Sequence, residues 1–192
     1  MTKNQFITDI STIRSRARQH IEEGAVTDSY KANREAVLKL LNDALATELV
    51  CVLRYKFHYF MAKGINSEPV AQEFLEHAIE EQDHADRIAT RIVQLGGSPQ
   101  FNPDTLSQRS HSQYIECKTL LEMIQEDLVA ERIAIDTYRE IIKYLADNDS
   151  TTRRMLEEIL ENEEEHAEDL SSMLSQFDDE QHNGKRSLKS LG

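Results

Sequence analysis

Four long stretches of the chain carry apolar residues at the three-and-four spacing of one helical face, and a shorter one precedes them. The short one spans residues 4–23, where Phe6, Ile10, Ile13, Ala17 and Ile21 recur and Gly24 stands as a stop. Residues 29–63 place Leu38, Leu41, Leu45, Val52, Tyr55 and Tyr59 on one stripe and end before Gly64, a residue suited to a left-handed cap. Residues 69–95 repeat the pattern with Phe74, Ala78, Ala85, Ile88, Ile92 and Leu95, closing at Gly96 and Gly97. Residues 113–147 follow with Leu121, Ile124, Leu128, Ile135, Tyr138, Ile142 and Leu145, and residues 150–177 with Leu156, Ile159, Leu160, Leu170 and Leu174. Ser150 is the candidate N-cap of the last helix.

The connections set the topology. A turn around Gly64, Asn66, Ser67 and Pro69 and the tight DNDS link each imply an antiparallel hairpin, whereas residues 96–112 (GGSPQFNPDTLSQRSHS) are long enough to travel the length of a bundle. The expected fold class is all-α: a four-helix bundle of two hairpins with a long crossover, plus a short N-terminal helix. Residues 1–28 form the N-terminal helix and linker, 29–177 the bundle, and 178–192, with two isolated leucines among polar residues, a mobile polar tail.

Composition narrows the partners. A chain of 192 residues is long enough for one domain with a substantial core, and three Pro and six Gly favour long helices. Acidic residues outnumber basic ones 35 to 22, a formal charge of −13, which argues against nucleic-acid binding through the whole surface and suits a multivalent cation. The exception is residues 1–20, where Lys3, Arg14, Arg16 and Arg18 outweigh Asp9 for a local +3; a minor DNA-binding role rests on these alone. Cys51 and Cys117 are too few for a disulfide framework, and with no signal-like opening and no membrane-length apolar run a cytoplasmic protein is expected.

The chemistry lies where the apolar pattern breaks. Each long helix carries a glutamate where the stripe asks for a hydrophobic residue: Glu48 between Leu45 and Val52, Glu81 between Ala78 and Ala85, Glu131 between Leu128 and Ile135, and Glu163 between Leu160 and Ala167. Glu81 and Glu163 are each followed three residues later by a histidine, His84 and His166. One Glu-x-x-His in a charged helix is an ordinary surface pair, but two of them with two further stripe glutamates form a pattern of another kind. Four unpaired carboxylates in one core would repel and must take up protons or hold cations. Two divalent ions cancel four glutamates, and neutral imidazoles complete the coordination. Depth agrees: Glu48 lies 15 residues before the first turn and Glu81 lies 12 after it, while Glu131 and Glu163 stand 16 before and 13 after theirs, so all four share one layer.

At these residues the sequence resembles the bacterioferritin-like branch of the ferritins, through LNDALATELVCVLRYKFHYF, EHAIEEQDHADRIATRI, EDLVAERIAIDTYREII and ILENEEEHAEDLSSML. The likeness covers about residues 35–177. It implies a ferritin-like fold with two iron ions per subunit, for which manganese or zinc could substitute. Glu81 and Glu163 would bridge the ions, Glu48 and Glu131 would be terminal carboxylates, and His84 and His166 would bind one ion each. Tyr55 matches a tyrosine beside the site that donates an electron or a hydrogen bond, or is a plain core tyrosine. Gln82 replaces the methionine that binds haem in bacterioferritins, so haem is not expected there. The N-terminal helix and extended crossover look more like the Dps-like ferritins, which form 12-subunit cages, than the 24-subunit shells. Some of those carry a cysteine pair near the metals, but Cys117 lies 14 residues before Glu131, roughly 20 Å away along one helix, so two free thiols are expected.

The activity implied is ferroxidase: ferrous iron is oxidised by dioxygen or hydrogen peroxide and stored as ferric oxide in a homo-oligomeric cage. A rubrerythrin-like di-iron peroxidase or oxidase without storage is the alternative, although no C-x-x-C of an appended iron domain is present. A bundle with vestigial carboxylates is the third reading.

Overall fold

The computed structural model describes residues 8–64 and 67–189, with side chains as far as residue 177. Among the described residues six helices follow in order: α1 (Ile10–Arg16), α2 (Arg34–Met61), α3 (Ser67–Gln94), α4 (Pro103–Arg109), α5 (Leu120–Leu145) and α6 (Ser150–Lys189). A short 3₁₀ turn at Ile21–Glu23 lies between α1 and α2. The dominant packing is α2 on α3 and α5 on α6, the two expected antiparallel hairpins. Their apolar faces make two clusters at different heights. One holds Leu41, Leu45, Ile88, Ile92, Tyr138 and Ile159, and the other Tyr55, Phe74, Ala78, Met123, Ile124 and Leu170. The stripe glutamates fall between these clusters along every helix, so the polar layer is sealed by hydrocarbon at both ends.

Where the helices begin and end differs from the periodicity in ways that local chemistry explains. The N-terminal helix breaks after Arg16, His20 adopts a left-handed φ of 49°, and Ile10, Ile13 and Ile21 are exposed on this chain; residues 4–7 lie outside the described residues. α5 starts at Leu120 rather than near residue 113 because Thr119 and Glu122 form a reciprocal capping box. Asp149, not Ser150, caps α6: its carboxylate accepts from the Thr152 N–H at 2.9 Å and hydroxyl at 2.6 Å, and also from Arg91 Nη2 and Tyr30 Oη, each at 2.9 Å. α2 ends on Ala62 in an extended conformation, two residues short of Gly64, the glycine expected to cap it. α3 does close on glycine, with Gly96 at φ 74° and its N–H on the Val93 carbonyl at 2.9 Å. A side chain on Gly97 would collide with Leu38. The backbone of α6 stays helical to Lys189, past the residue 177 boundary expected for a tail.

The crossover is more ordered than a plain loop. Asn102 caps α4, whose Leu106 packs on Ala46 and Val50 of α2. Arg109 then reaches the Asn42 carbonyl at 2.7 Å, the His111 N–H donates to Thr47 Oγ1 at 3.0 Å, and Arg54 Nη1 donates to the Gln113 carbonyl at 2.9 Å. Polar positions on the outer side of α2 are thus buried under the returning chain, which the single apolar stripe did not foretell. The deepest is an ion pair: Arg54 Nε lies 2.8 Å from Asp127 Oδ1, and His58 Nδ1 lies 2.7 Å from Asp127 Oδ2, all three sealed from solvent. Asp127→Ala strands the Arg54 cation in the core, so a loss of about 3–5 kcal/mol is expected in urea unfolding. A loss under about 1 kcal/mol would mean that water or the loop compensates the charge.

Candidate metal centre

The two hairpins repeat one another along the chain. Adding 83 to Glu48 and Tyr55 gives Glu131 and Tyr138, and adding 82 to Glu81 and His84 gives Glu163 and His166. The fold converts this offset into an approximate two-fold arrangement in which all six carboxylate and imidazole side chains are buried and meet. They make two groups, Glu48–Glu81–His84–Glu163 and Glu81–Glu131–Glu163–His166, whose potential ligand atoms lie within 4.8 Å of one another. Glu81 and Glu163 belong to both. The i, i+3 spacing on α3 and α6 is what allows this: each helix turns its glutamate to the centre and its histidine to one side.

Both histidines present Nδ1 to the carboxylates. His84 Nδ1 is 3.2 Å from Glu163, 3.4 Å from Glu48 and 3.8 Å from Glu81, and His166 Nδ1 is 3.6, 3.7 and 3.8 Å from Glu81, Glu163 and Glu131. The opposite nitrogens point away: His166 Nε2 lies 2.7 Å from Glu80 Oε2, and His84 Nε2 lies 3.5 Å from Asn162 Oδ1. Such outer partners fix the tautomer that leaves the inward nitrogen free to ligate. Across the site, Tyr55 donates to Glu131 and Tyr138 to Glu48, so each terminal glutamate is held by the tyrosine of the other hairpin. Glu48 Oε2, Glu81 Oε1, both Glu163 oxygens and both inward histidine nitrogens nevertheless have no hydrogen-bond partner among the described residues. Buried acceptors without donors are costly, and this donor set fits a pair of divalent cations with oxygen and nitrogen ligands.

Electrostatics point the same way. Burial first, then the neighbouring Glu81 charge, lifts the Glu48 carboxyl well above its ordinary range, and burial with the Glu48 and Glu131 charges lifts Glu163 to about 8. Glu131 is also buried, but the close approach of the His166 imidazole, with Glu163 and the Tyr55 hydroxyl, brings it down to about 2. Burial opposes charge on His84 and His166 as well, yet their carboxylate neighbours raise both far above the usual imidazole value. Without cations, the cluster is neutralised by protons.

Of the expected residues, the structure brings Glu48, Glu81, His84, Glu131, Glu163, His166 and Tyr55 together; Tyr55 bonds Glu131 rather than the Glu48 of its own helix. Tyr138, Glu80, Asn162 and His77 were missed. Tyr138 was legible from the same seven-residue step that singled out Tyr55, whereas Glu80 and Asn162 sit beside the stripe and read as solvated positions. Gln82, the haem-associated position, donates to Asp86 at 3.0 Å on the surface. Cys51 and Cys117 are both buried free thiols. Cys117 precedes α5 and shares an apolar cluster with Cys51, so the single-helix spacing that set them apart does not apply. Burial pushes the Cys51 thiol well up and the Cys117 thiol to about 11.

Residues 38–179 match the ferritin family, described as a ferritin-like domain. The bacterioferritin of Rhodobacter capsulatus is 30% identical over 146 residues, covering 74% of this chain and 84% of that protein. Among solved structures, the dodecameric thioferritin of Bacteroides fragilis, a bacterioferritin-related protein, superposes with a TM-score of 0.77 at 30% identity over 80% of this chain and 92% of that one. Dps from Thermosynechococcus elongatus, at 21% identity and a TM-score of 0.71 over 73% of this chain and 90% of that one, shares the fold.

Proposed function

The chain belongs to the ferritin family, and from that premise we propose that it oxidises ferrous iron at the buried six-residue centre and stores the ferric product inside a homo-oligomeric cage. The observation that carries this reading is the pair of buried ligand groups joined through Glu81 and Glu163. In it, Glu48 and His84 hold one ferrous ion, Glu131 and His166 hold the other, and the shared glutamates bridge them. Four carboxylates balance the charge of two ferrous ions, so loading the site exchanges bound protons for metal at little net change in buried charge.

Two adjacent ferrous ions supply one electron each, the pair needed to take peroxide to water or dioxygen to peroxide, and the carboxylate-rich donor set suits iron in both oxidation states. Manganese and zinc would fit the same ligands without that turnover. Tyr55 and Tyr138 orient the terminal glutamates, while Glu80 and Asn162 orient the imidazoles. Assembly is supported by the apolar side chains this chain leaves exposed, among them Leu53, Phe60, Ile79, Val93, Val129 and Tyr144. The dodecameric Bacteroides fragilis relative makes a 12-subunit cage the assembly to test first. The relatives do not favour the storage-free peroxidase.

Anaerobic titration of the purified protein with ferrous iron is expected to saturate at two ions per chain, with both oxidised within seconds of adding peroxide or dioxygen. Sizing is expected to give an assembly of hundreds of kilodaltons. No stoichiometric iron, or a stable dimer, would refute the reading.

A further inference from the structure

One buried residue near the centre is unused by that reading. His77 lies on α3 one turn before Glu81, is 2% exposed, and stacks on the His166 ring with centroids 4.1 Å apart and planes at 24°. Its Nδ1 is 3.2 Å from the Tyr55 hydroxyl. Its Nε2 makes no hydrogen bond among the described residues and faces Glu73 Oε1 at 3.4 Å. His77 takes part in two groups of close-lying ligand atoms: inward with Glu131 and His166, and outward with Glu73 and Asp169. The outward group crosses the seam between α3 and α6, and its members grade from buried His77 through half-buried Glu73 to exposed Asp169.

The internal repeat provides a control for whether the fold itself demands these residues. The 82-residue offset that maps Glu81 onto Glu163 maps Glu73 onto Met155, His77 onto Ile159, and Asp169 back onto Arg87. Ile159 is fully buried, Met155 packs against the same cluster, and Arg87 pairs with Glu158 at 2.7 Å. The equivalent place at the other end of the α3–α6 seam is therefore closed by hydrocarbon and covered by the Arg87–Glu158 pair. Packing needs no histidine or carboxylate at this register. Burial, and then the charges of Asp169, Glu76 and Glu80, disfavour ionised Glu73, a penalty that a bound cation would remove.

We propose that Glu73, His77 and Asp169 form a third divalent-cation site, at the α3–α6 seam, from which ions pass by way of His77 to the buried centre. The proposal rests on reading that centre as a metal site. One imidazole and two carboxylates leave coordination positions for water, so the ion is held partly hydrated and more weakly than in the sealed layer. The asymmetry of the two ends makes loading one-sided: the acidic end attracts cations, whereas the end closed by Ile159, Met155 and the Arg87–Glu158 pair offers them no ligand.

The test uses cobalt(II), which binds nitrogen and oxygen ligands without turning over, on the intact protein. Wild type is expected to bind three cobalt ions per chain, with anomalous scattering from cobalt-soaked crystals placing the third among Glu73, His77 and Asp169. The double variant Glu73→Gln/Asp169→Asn is expected to bind two and to oxidise ferrous iron about tenfold more slowly at limiting iron, while still reaching the same final stoichiometry. Two cobalt ions in the wild type, a third ion elsewhere, or an unslowed double variant would overturn the proposal and leave the buried centre standing. No cobalt in either protein would overturn both.

Discussion

Glu81→Gln is expected to cost the protein both metal ions, whereas Glu48→Gln costs one. The difference follows from membership: Glu81 belongs to both ligand groups, Glu48 to one. Removing a bridging carboxylate leaves each ion short of a ligand and leaves three carboxylates to balance four positive charges, so the second ion is weakened by charge as well as by coordination. Ferrous oxidation at micromolar iron is expected to fall by about a hundredfold or more, because the electron pair requires both ions side by side. The metal-free variant should melt no lower than metal-free wild type. The Glu81 charge is, after burial, the largest cause raising Glu48, and glutamine removes that repulsion at nearly constant volume. Calorimetry without metal and anaerobic titration with it separate the two effects. One ion held at wild-type affinity in Glu81→Gln would refute the bridging assignment.

The second large effect is the pH dependence of stability, which is expected to differ in slope with and without metal. Glu163 holds its proton in the folded state up to about 8 but releases it near 4.5 when unfolded. Between these values the folded state binds more protons, so raising the pH through that window destabilises the metal-free protein. His84 and His166 act in the same sense at higher pH: their raised values stabilise fully below the ordinary imidazole value near 6.5, and this contribution declines as the pH rises above it. Glu131, lowered to about 2, works oppositely, its stabilisation being lost as the pH falls from about 4.5 toward 2. Metal-free protein is thus expected to melt highest near pH 5 and several degrees lower at pH 8. Divalent zinc must displace these protons, so its affinity, and the melting temperature it confers, climb over the same interval. At a hundred times the dissociation constant each ion contributes about 2.7 kcal/mol, and two together raise the melting temperature by about 10–20 °C at pH 8. Scans at pH 5, 6.5 and 8 with and without zinc test this. Parallel curves would mean that the cluster does not exchange protons for metal.

The residues legible in the sequence share one property: their role requires them to sit on the core-facing stripe of a helix. Glu48, Glu81, Glu131 and Glu163 stand out because each occupies a place where a hydrophobic residue belongs, and His84 and His166 because the three-residue step keeps them on that face. What was missed acts across elements. Asp149 outcompetes Ser150 as the cap of α6 because Arg91 and Tyr30, both distant in sequence, converge on its carboxylate. Arg54 and Thr47 are buried because the crossover returns over α2, where nothing in the α2 pattern marks a second covered side. Cys117 joins the apolar cluster that holds Cys51 instead of lying on α5 because the Thr119 capping box delays that helix.

Read alone, the chain determined the number of long helices, their pairing into hairpins and the depth of the polar layer, since these depend on the period of apolar residues and the length of the links. Tertiary structure decided which hairpin's tyrosine holds which glutamate, which outer carboxylate or amide orients each imidazole, and that one end of the α3–α6 seam is acidic while its counterpart is sealed. Those outcomes depend on side chains meeting between helices, and the distances that make or break such contacts are set only when the two hairpins dock.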